Sequence, residues 1–385
     1  MAPGAQLLVQ AALELTPVVV GLVRKSLESE LPVAREQRTA AEGTDFRWQR
    51  ELAAHRRETL LQVAAHQRET ALRLPEVHRI FESWPLRLYP SQILQSHTGT
   101  GPLPLRIFLG LPETELARVQ PGLVERLRAF LAEHYPLHDP LRPTEFLPGA
   151  WQADRFHGEA SIKALFGLLR SEPTLVIESQ VEGETLYLRV AYWGLNQAQY
   201  YYRTVLALPY RALLRGVARS RALAFGALRT SLLAAGEDPA AVDALGGNCA
   251  VNLGLIAQEE RWRNLGIDAS AFAPDYRLDG ADYDELGRWL AACHCLLAAW
   301  MADVYFLAHF EAPPRLPALL GTLVRDLPDA ELVGTVVSGY RQMFRVLEDE
   351  RRGCVAELSL QLAEGLLVLG DRPLARELAD DALRN

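Results

Sequence analysis

The densest group of side chains able to do chemistry is the run Asp154-Arg155-Phe156-His157-Gly158-Glu159-Ala160-Ser161-Ile162-Lys163. His157 has the residue type for acid–base work, and Lys163 can hold an anion. A helix opening at Gly158 presents backbone N–H groups with no partner inside the helix, and Lys163 lies about one turn further in. His157, Gly158, Glu159, Ser161 and Lys163 are therefore the expected contacts of a small anionic or nucleotide-like ligand. Asp154 and Glu159 would repel an anion unless they meet a sugar hydroxyl or cap the helix. Glu159 in a first turn is also simply a good partner for the helix dipole, so structural capping is the plainer alternative.

A second candidate is cationic. Arg211, Arg215 and Arg219 recur every four residues on a helix opened by Pro209, opposite Leu213, Leu214, Val217 and Leu228. The stripe suits an anion or a partner protein; its alternative is a solvated face or salt bridges to acidic neighbours. Other constellations fail on spacing. Cys293, His294 and Cys295 are adjacent, so on a helix they point about 100° apart and cannot converge on a metal without ligands from elsewhere. From Asp275 to Glu285 the chain is acidic, but Arg277 and Leu286 stand where a calcium loop needs oxygen ligands. Gly99-Thr100-Gly101 precedes a strand and Gly246-Gly247-Asn248 separates two helices. A phosphate loop must instead follow a strand and open a helix. No residue is assigned a catalytic role, and neither metal nor cofactor is expected.

The elements that must position these groups fall into three regions. The 385 residues exceed what one core usually organises, ~250–300. With 49% hydrophobic and 23% charged residues the chain has the means to bury a core, which excludes wholesale disorder. A formal net charge of -8 argues against general nucleic-acid binding. Four cysteines in a chain this long make no disulfide framework, so a reducing, cytoplasmic compartment is expected. Lysine occurs only at Lys25 and Lys163; every other basic side chain is arginine.

Residues 1–80 read as helix. AAHRRETLLQV (53–63) and AAHQRETALRL (64–74) form an eleven-residue repeat, which keeps equivalent positions on one face. Trp48, Leu52, Leu60, Val63, Ala71 and Leu74 make a narrow apolar stripe suited to a partner helix, and Pro75 ends it. This coiled-coil-like segment is the expected site of docking to a protein partner or of homo-oligomerisation. Residues 84–203 read as a small α/β domain: a Pro/Gly/Ser-rich linker over 84–104, strands at 105–110 and 143–147, and helices at 113–135 and 158–170. Strands at 174–179 and 185–193 follow, joined by the turn Glu182-Gly183-Glu184 as an antiparallel hairpin at one edge. Residues 204–385 read as a helical bundle. In it Asp238-Pro239 opens one helix, Pro313-Pro314 closes another, and 362–384 turns back at Gly370-Asp371. The fold class is thus mixed and mostly helical, an α+β arrangement of long helix, α/β layer and bundle. Two stretches are apolar enough to compare with membrane segments. Residues 5–24 are interrupted by Gln10, Glu14 and Pro17. Residues 289–310 are long enough to span, but Asp303 and His294 make the buried centre of a bundle the better reading.

RETALRLPEVHRIFESWPLRLYPSQIL (68–94) and RFHGEASIKALFGLLRSEPTLVIES (155–179) resemble an uncharacterised family of bacterial proteins associated with predicted conflict (defence) systems built around inactive relatives of STAND NTPases. The likeness runs from about 64 to 310 and implies no catalytic residues. The order strand, helix, strand, helix, strand is similar to that of TIR-type domains and would imply NAD cleavage. Such domains carry an acidic catalyst on a later helix, and no segment after 179 matches it.

The leading expectation is a non-enzymatic interaction, sensor or scaffold protein of a bacterial conflict or signalling system. The alternative is a Rossmann-like nucleotide-processing enzyme using 154–163, and the weaker one is membrane association through 5–24.

Overall fold

The computed structural model describes residues 84–88, 92–93, 102–111, 115–152, 155–195, 199–267, 275–310, 312–325, 341, 355–367 and 370–384. The repeat at 53–74, its stripe and the apolar stretch 5–24 lie outside the described residues, as does Asp154.

The chain is mixed α/β and mostly helical, with one five-stranded sheet. Strand β1 (Leu105–Gly110) leads through a short 3-10 turn to α1 (Gln120–His134), β2 (Thr144–Leu147), α2 (Gly158–Leu169) and β3 (Thr174–Glu182). β4 (Thr185–Trp193) and β5 (Tyr201–Leu208) complete a sheet of order β2-β1-β3-β4-β5. The first three strands in that order run parallel and the last two pairings are antiparallel. The β3–β4 hairpin turns at Gly183, whose φ of 61 is the left-handed conformation a two-residue turn requires. β5 was not expected, so the hairpin is not the edge of the sheet. Its Tyr-Tyr-Arg-Thr run has strand-forming residue types but no clean alternation.

LRIFLG and TLVIES are apolar runs because both faces of the sheet are covered. Leu105, Ile107, Leu109, Leu175, Ile177, Leu188 and Val190 point to one face. They meet Leu123, Leu127, Phe130 and Leu131 of α1, spaced to form one helical stripe. Phe108, Val176, Ala191 and Trp193 point to the other face and meet Ile162, Leu165 and Leu169 of α2. Trp84, Leu86 and Ile93 also belong to this second core. The stretch expected as a linker is therefore packed at these positions: Arg87 N donates to Ala150 O at 2.7 Å, and Gln152 N to Pro85 O at 2.8 Å. Arg106, fully buried in β1, donates to Ile93 O at 2.9 Å and pairs with Glu145 at 2.9 Å and with Glu172. Proline and serine content marks an irregular path here, and an irregular backbone can still be packed.

Beyond β5 the chain is helical: α3 (Tyr210–Ala234), α4 (Pro239–Gly246), α5 (Asn248–Asn264), α6 (Gly280–Phe310), α7 (Leu316–Arg325), a helical segment over 355–367, and α8 (Arg372–Arg384). The expected punctuation is present. The Asp238 side chain accepts from Ala241 N at 3.0 Å, and Gly370 has φ 82 at the final turn. α6 is long and apolar enough to cross a membrane, yet its residues 289–306 are all buried. They pack against the sheet, α1, the first turns of α3, α7 and 355–367 in a single core that includes Leu297, Tyr305, Leu316 and Leu362. Asp279 and Asp282, from the acidic stretch, serve the start of α6. Ala281 N donates to Asp279 at 3.0 Å, Asp279 N donates to Asp282 at 2.8 Å, and both carboxylates pair with Arg221.

Candidate functional site

The helices that follow β1 and β2 lie on opposite faces of the sheet, and in an α/β sheet of order 2-1-3 a ligand crevice lies at the carboxyl ends of the central strands, here β1 and β3. Here β1 ends at Gly110, which stands opposite Glu178 in the ladder. A Cβ on Gly110 would approach Trp151 Nε1 to 3.2 Å and Glu178 Cγ to 3.3 Å, so both side chains lie over the strand end. Trp151 is held by its Nε1–H donating to Phe156 O at 2.9 Å.

Glu178 is 2% exposed. One carboxylate oxygen accepts the backbone N–H of Gly158 at 2.8 Å and the other accepts the Tyr202 hydroxyl at 2.7 Å. Burial, and then the hydrogen bond and charge of Glu178, hold the Tyr202 phenol well above its ordinary range. Gly158 has φ 75, which turns its N–H toward β3 before the helix begins. The position an external anion would take on α2 is thus occupied by a carboxylate of the chain itself.

The expected ligand residues surround this point without converging on one spot. His157 is exposed, extended, and makes no side-chain cap. Ser161 is buried and its hydroxyl turns back to donate to His157 O at 3.2 Å. Glu159 is exposed and accepts from the Tyr200 hydroxyl at 3.3 Å. Lys163 is exposed on α2. Phe166, Tyr200 and Trp193 form a ring cluster beside them, with centroid separations of 5.2 and 5.4 Å from Phe166.

The arginine stripe is matched by acids. Arg211 and Arg215 lie 3.9 and 3.5 Å from Glu184 of the hairpin turn, and Arg219 pairs with Glu259 and donates to the Tyr276 hydroxyl at 2.7 Å. Leu213, Leu214 and Val217 are buried as expected, but Leu228 is 55% exposed, because α3 outruns the sheet it packs on. Leu223, Leu245 and Val251 are exposed on the same arm of α3, α4 and α5.

On the other face, His294 donates from Nδ1 to Leu290 O at 2.7 Å, leaving Nε2 as the acceptor facing Ser179 Oγ at 3.5 Å. Burial pulls this imidazole down to about 4. It lies among core side chains, with Cys293 and Cys295 buried beside it on α6. Ser179 borders a crevice of ≈ 20 Å³ with Leu111, Val119, Leu123, Leu186 and Leu290, room for about one water. Among the described residues no group of three His, Cys, Asp or Glu side chains is placed to hold a metal.

Sequence reasoning missed Glu178 and Ser179 because both sit in a strand that reads as pure core. The available signal was the carboxylate itself: a charge inside TLVIES needs partners, and the helix opening at Gly158 offers a backbone donor. Compared with known proteins, the chain matches no protein-family model, no curated protein and no solved structure, so its own geometry is what a functional reading rests on.

Proposed function

We propose that this chain is a non-enzymatic interaction protein, a sensor or scaffold whose α/β layer is a folded platform. The observation that carries this reading is Glu178. A buried carboxylate bonded to the first N–H of α2 repels a phosphate from the one place where an α/β sheet of this order offers a ready-made anion site. Support for a docking role comes from the exposed apolar side chains Leu223, Leu228, Leu245 and Val251 on one helical arm. The narrow apolar stripe expected over 48–74 is a second candidate docking segment, read from the sequence alone. Membership of a bacterial conflict or signalling system rests on the resemblance of 68–94 and 155–179 alone.

The rival reading is NAD or nucleotide processing by the 154–163 cluster, and the two separate on one experiment. Purified full-length chain is incubated with NAD and nucleoside triphosphates while products are resolved by chromatography and the melting point is followed. No product and no shift of melting point are expected. Turnover that disappears in His157→Ala or Lys163→Ala would overturn the proposal. Docking through 1–80 is tested by light scattering on the full chain and on a version lacking those residues. Identical monomeric masses in both would remove self-association.

A further inference from the structure

Ser179 interrupts an apolar series. Leu175, Ile177, Ser179 and Val181 alternate onto the β3 face that meets α1 and α6, and the serine is its polar member. It is 5% exposed, and its hydroxyl has His294 Nε2 at 3.5 Å, the long limit of a hydrogen bond. The imidazole cannot turn away, because Nδ1 is committed to Leu290 O at 2.7 Å. Ser179 also lines the crevice between the start of α1 and the carboxyl ends of β1 and β3, where Leu111 follows β1 directly. This is the α1-side counterpart of the corner that Glu178 closes on the α2 side, and an α/β sheet of this order takes its ligands at these strand ends. Around the water-sized inner space of ≈ 20 Å³ the crevice opens to ≈ 290 Å³ with its mouth included, close to the lower bound of small-molecule sites at roughly 300 Å³.

We propose that this crevice binds a small neutral alcohol, whose hydroxyl takes the inner space beside Ser179 and whose hydrocarbon chain lies against the leucines of the mouth. The walls select that class. Among the described residues no charged side chain lines the crevice, so an ionised ligand would lose its hydration without gaining a partner. Leu111, Leu123, Leu186 and Leu290 supply the apolar surface that a short chain covers. Ser179 donates to His294 Nε2 and keeps oxygen lone pairs with which to accept, so a ligand hydroxyl can donate to it without disturbing that pair. A ketone cannot donate, and would have to draw the serine proton away from His294. The inference goes beyond the platform reading and is independent of docking through the outer helices. A molecule seated here touches α1, the sheet and α6 together, which gives a sensor its ligand.

The test is a titration of the full chain, carrying isotope-labelled leucine methyl groups, with n-butanol, butyrate and butanone, followed by nuclear magnetic resonance. The methyl signals of Leu123, Leu186 and Leu290 should shift and saturate with n-butanol, and butyrate and butanone should bind several-fold more weakly. Ser179→Ala removes the acceptor and should weaken n-butanol roughly two- to tenfold, the worth of one neutral hydrogen bond. Leu111→Trp fills the half-buried mouth, leaves the Ser179–His294 pair in place, and should abolish the saturable shifts. Shifts that grow linearly with alcohol and never saturate would overturn the site, leaving a lodging for one ordered water. So would butyrate or butanone binding as tightly as n-butanol, or parent affinity in either variant.

Discussion

Glu178→Ala tests whether the carboxylate at the sheet's switch point stands where a ligand anion would. The substitution leaves the Gly158 N–H and the Tyr202 hydroxyl without their acceptor. An unsatisfied buried donor costs about 1–3 kcal/mol, and both groups here are only partly covered, so solvent relieves some of that cost. The expected loss is roughly 2–4 kcal/mol, read as a lower urea midpoint at unchanged slope. The vacancy also has the chemistry of an anion site, two donors at the start of a helix. Phosphate or formate should therefore raise the midpoint of Glu178→Ala more than that of the parent. The Tyr202 phenol supplies an independent readout. Its ionisation should move down toward the ordinary range as the hydrogen bond and charge of Glu178 vanish, while the larger contribution from burial remains. A variant as stable as the parent, or stabilised by anions only as much as the parent is, would refute the account.

Three further outcomes follow from the same geometry. Leu297 is fully buried at the centre of α6, so Leu297→Ala should cost about 2–5 kcal/mol in chemical denaturation, and Leu297→Asp should abolish soluble expression. His294 is held near 4 when folded against 6.5 when unfolded, so its contribution is fully present above 6.5 and is lost as pH falls toward 4. That loss is roughly 3 kcal/mol, and His294→Gln should flatten the acid limb of a stability–pH profile by that amount. Gly321 faces Gly365 across a helix crossing, and a Cβ there would stand 3.2 Å from Gly365 Cα, backbone against backbone. Gly321→Ala should cost about 1–3 kcal/mol, whereas Gly167→Ala on the open face of α2 should raise the melting point through a gain of about 0.5–1 kcal/mol.

The elements with strong periodicity were legible. The stripe Leu123, Leu127, Phe130, Leu131 and the runs LRIFLG and TLVIES lie where patterning put them, because burial on one helical stripe or on both faces of a strand leaves a direct trace in residue type. β5 was not legible. Tyr201, Tyr202, Arg203 and Thr204 are polar or amphipathic, and their strand state is fixed by pairing with β4, a contact that local sequence does not encode. The packing of Trp84, Leu86 and Ile93 was hidden for a related reason. Isolated apolar residues in an irregular segment have no period to detect, and what docks them is tertiary: the Arg106 guanidinium and the pairing of Leu86 with Trp151.

The site shows the same division between what spacing records and what folding adds. The helix start at Gly158 and the exposure of Lys163 follow from local residue types, so the region was found. Its chemical state depends on Glu178, twenty residues further along the chain and on another element, and on Tyr202, beyond a hairpin. A helix N-terminus read from sequence alone is an electrostatic invitation to an anion. Folding decides whether an internal carboxylate accepts it first. Asp303 repeats the logic at α7: a helix without a capping side chain in its own sequence, satisfied by a carboxylate from a neighbour. Both helix starts are thus closed by buried acids, at Glu178 and at Asp303. The charged groups that could have greeted a substrate instead fix helices to the sheet and to one another. That arrangement is the ground on which the α/β layer is proposed to be a folded platform.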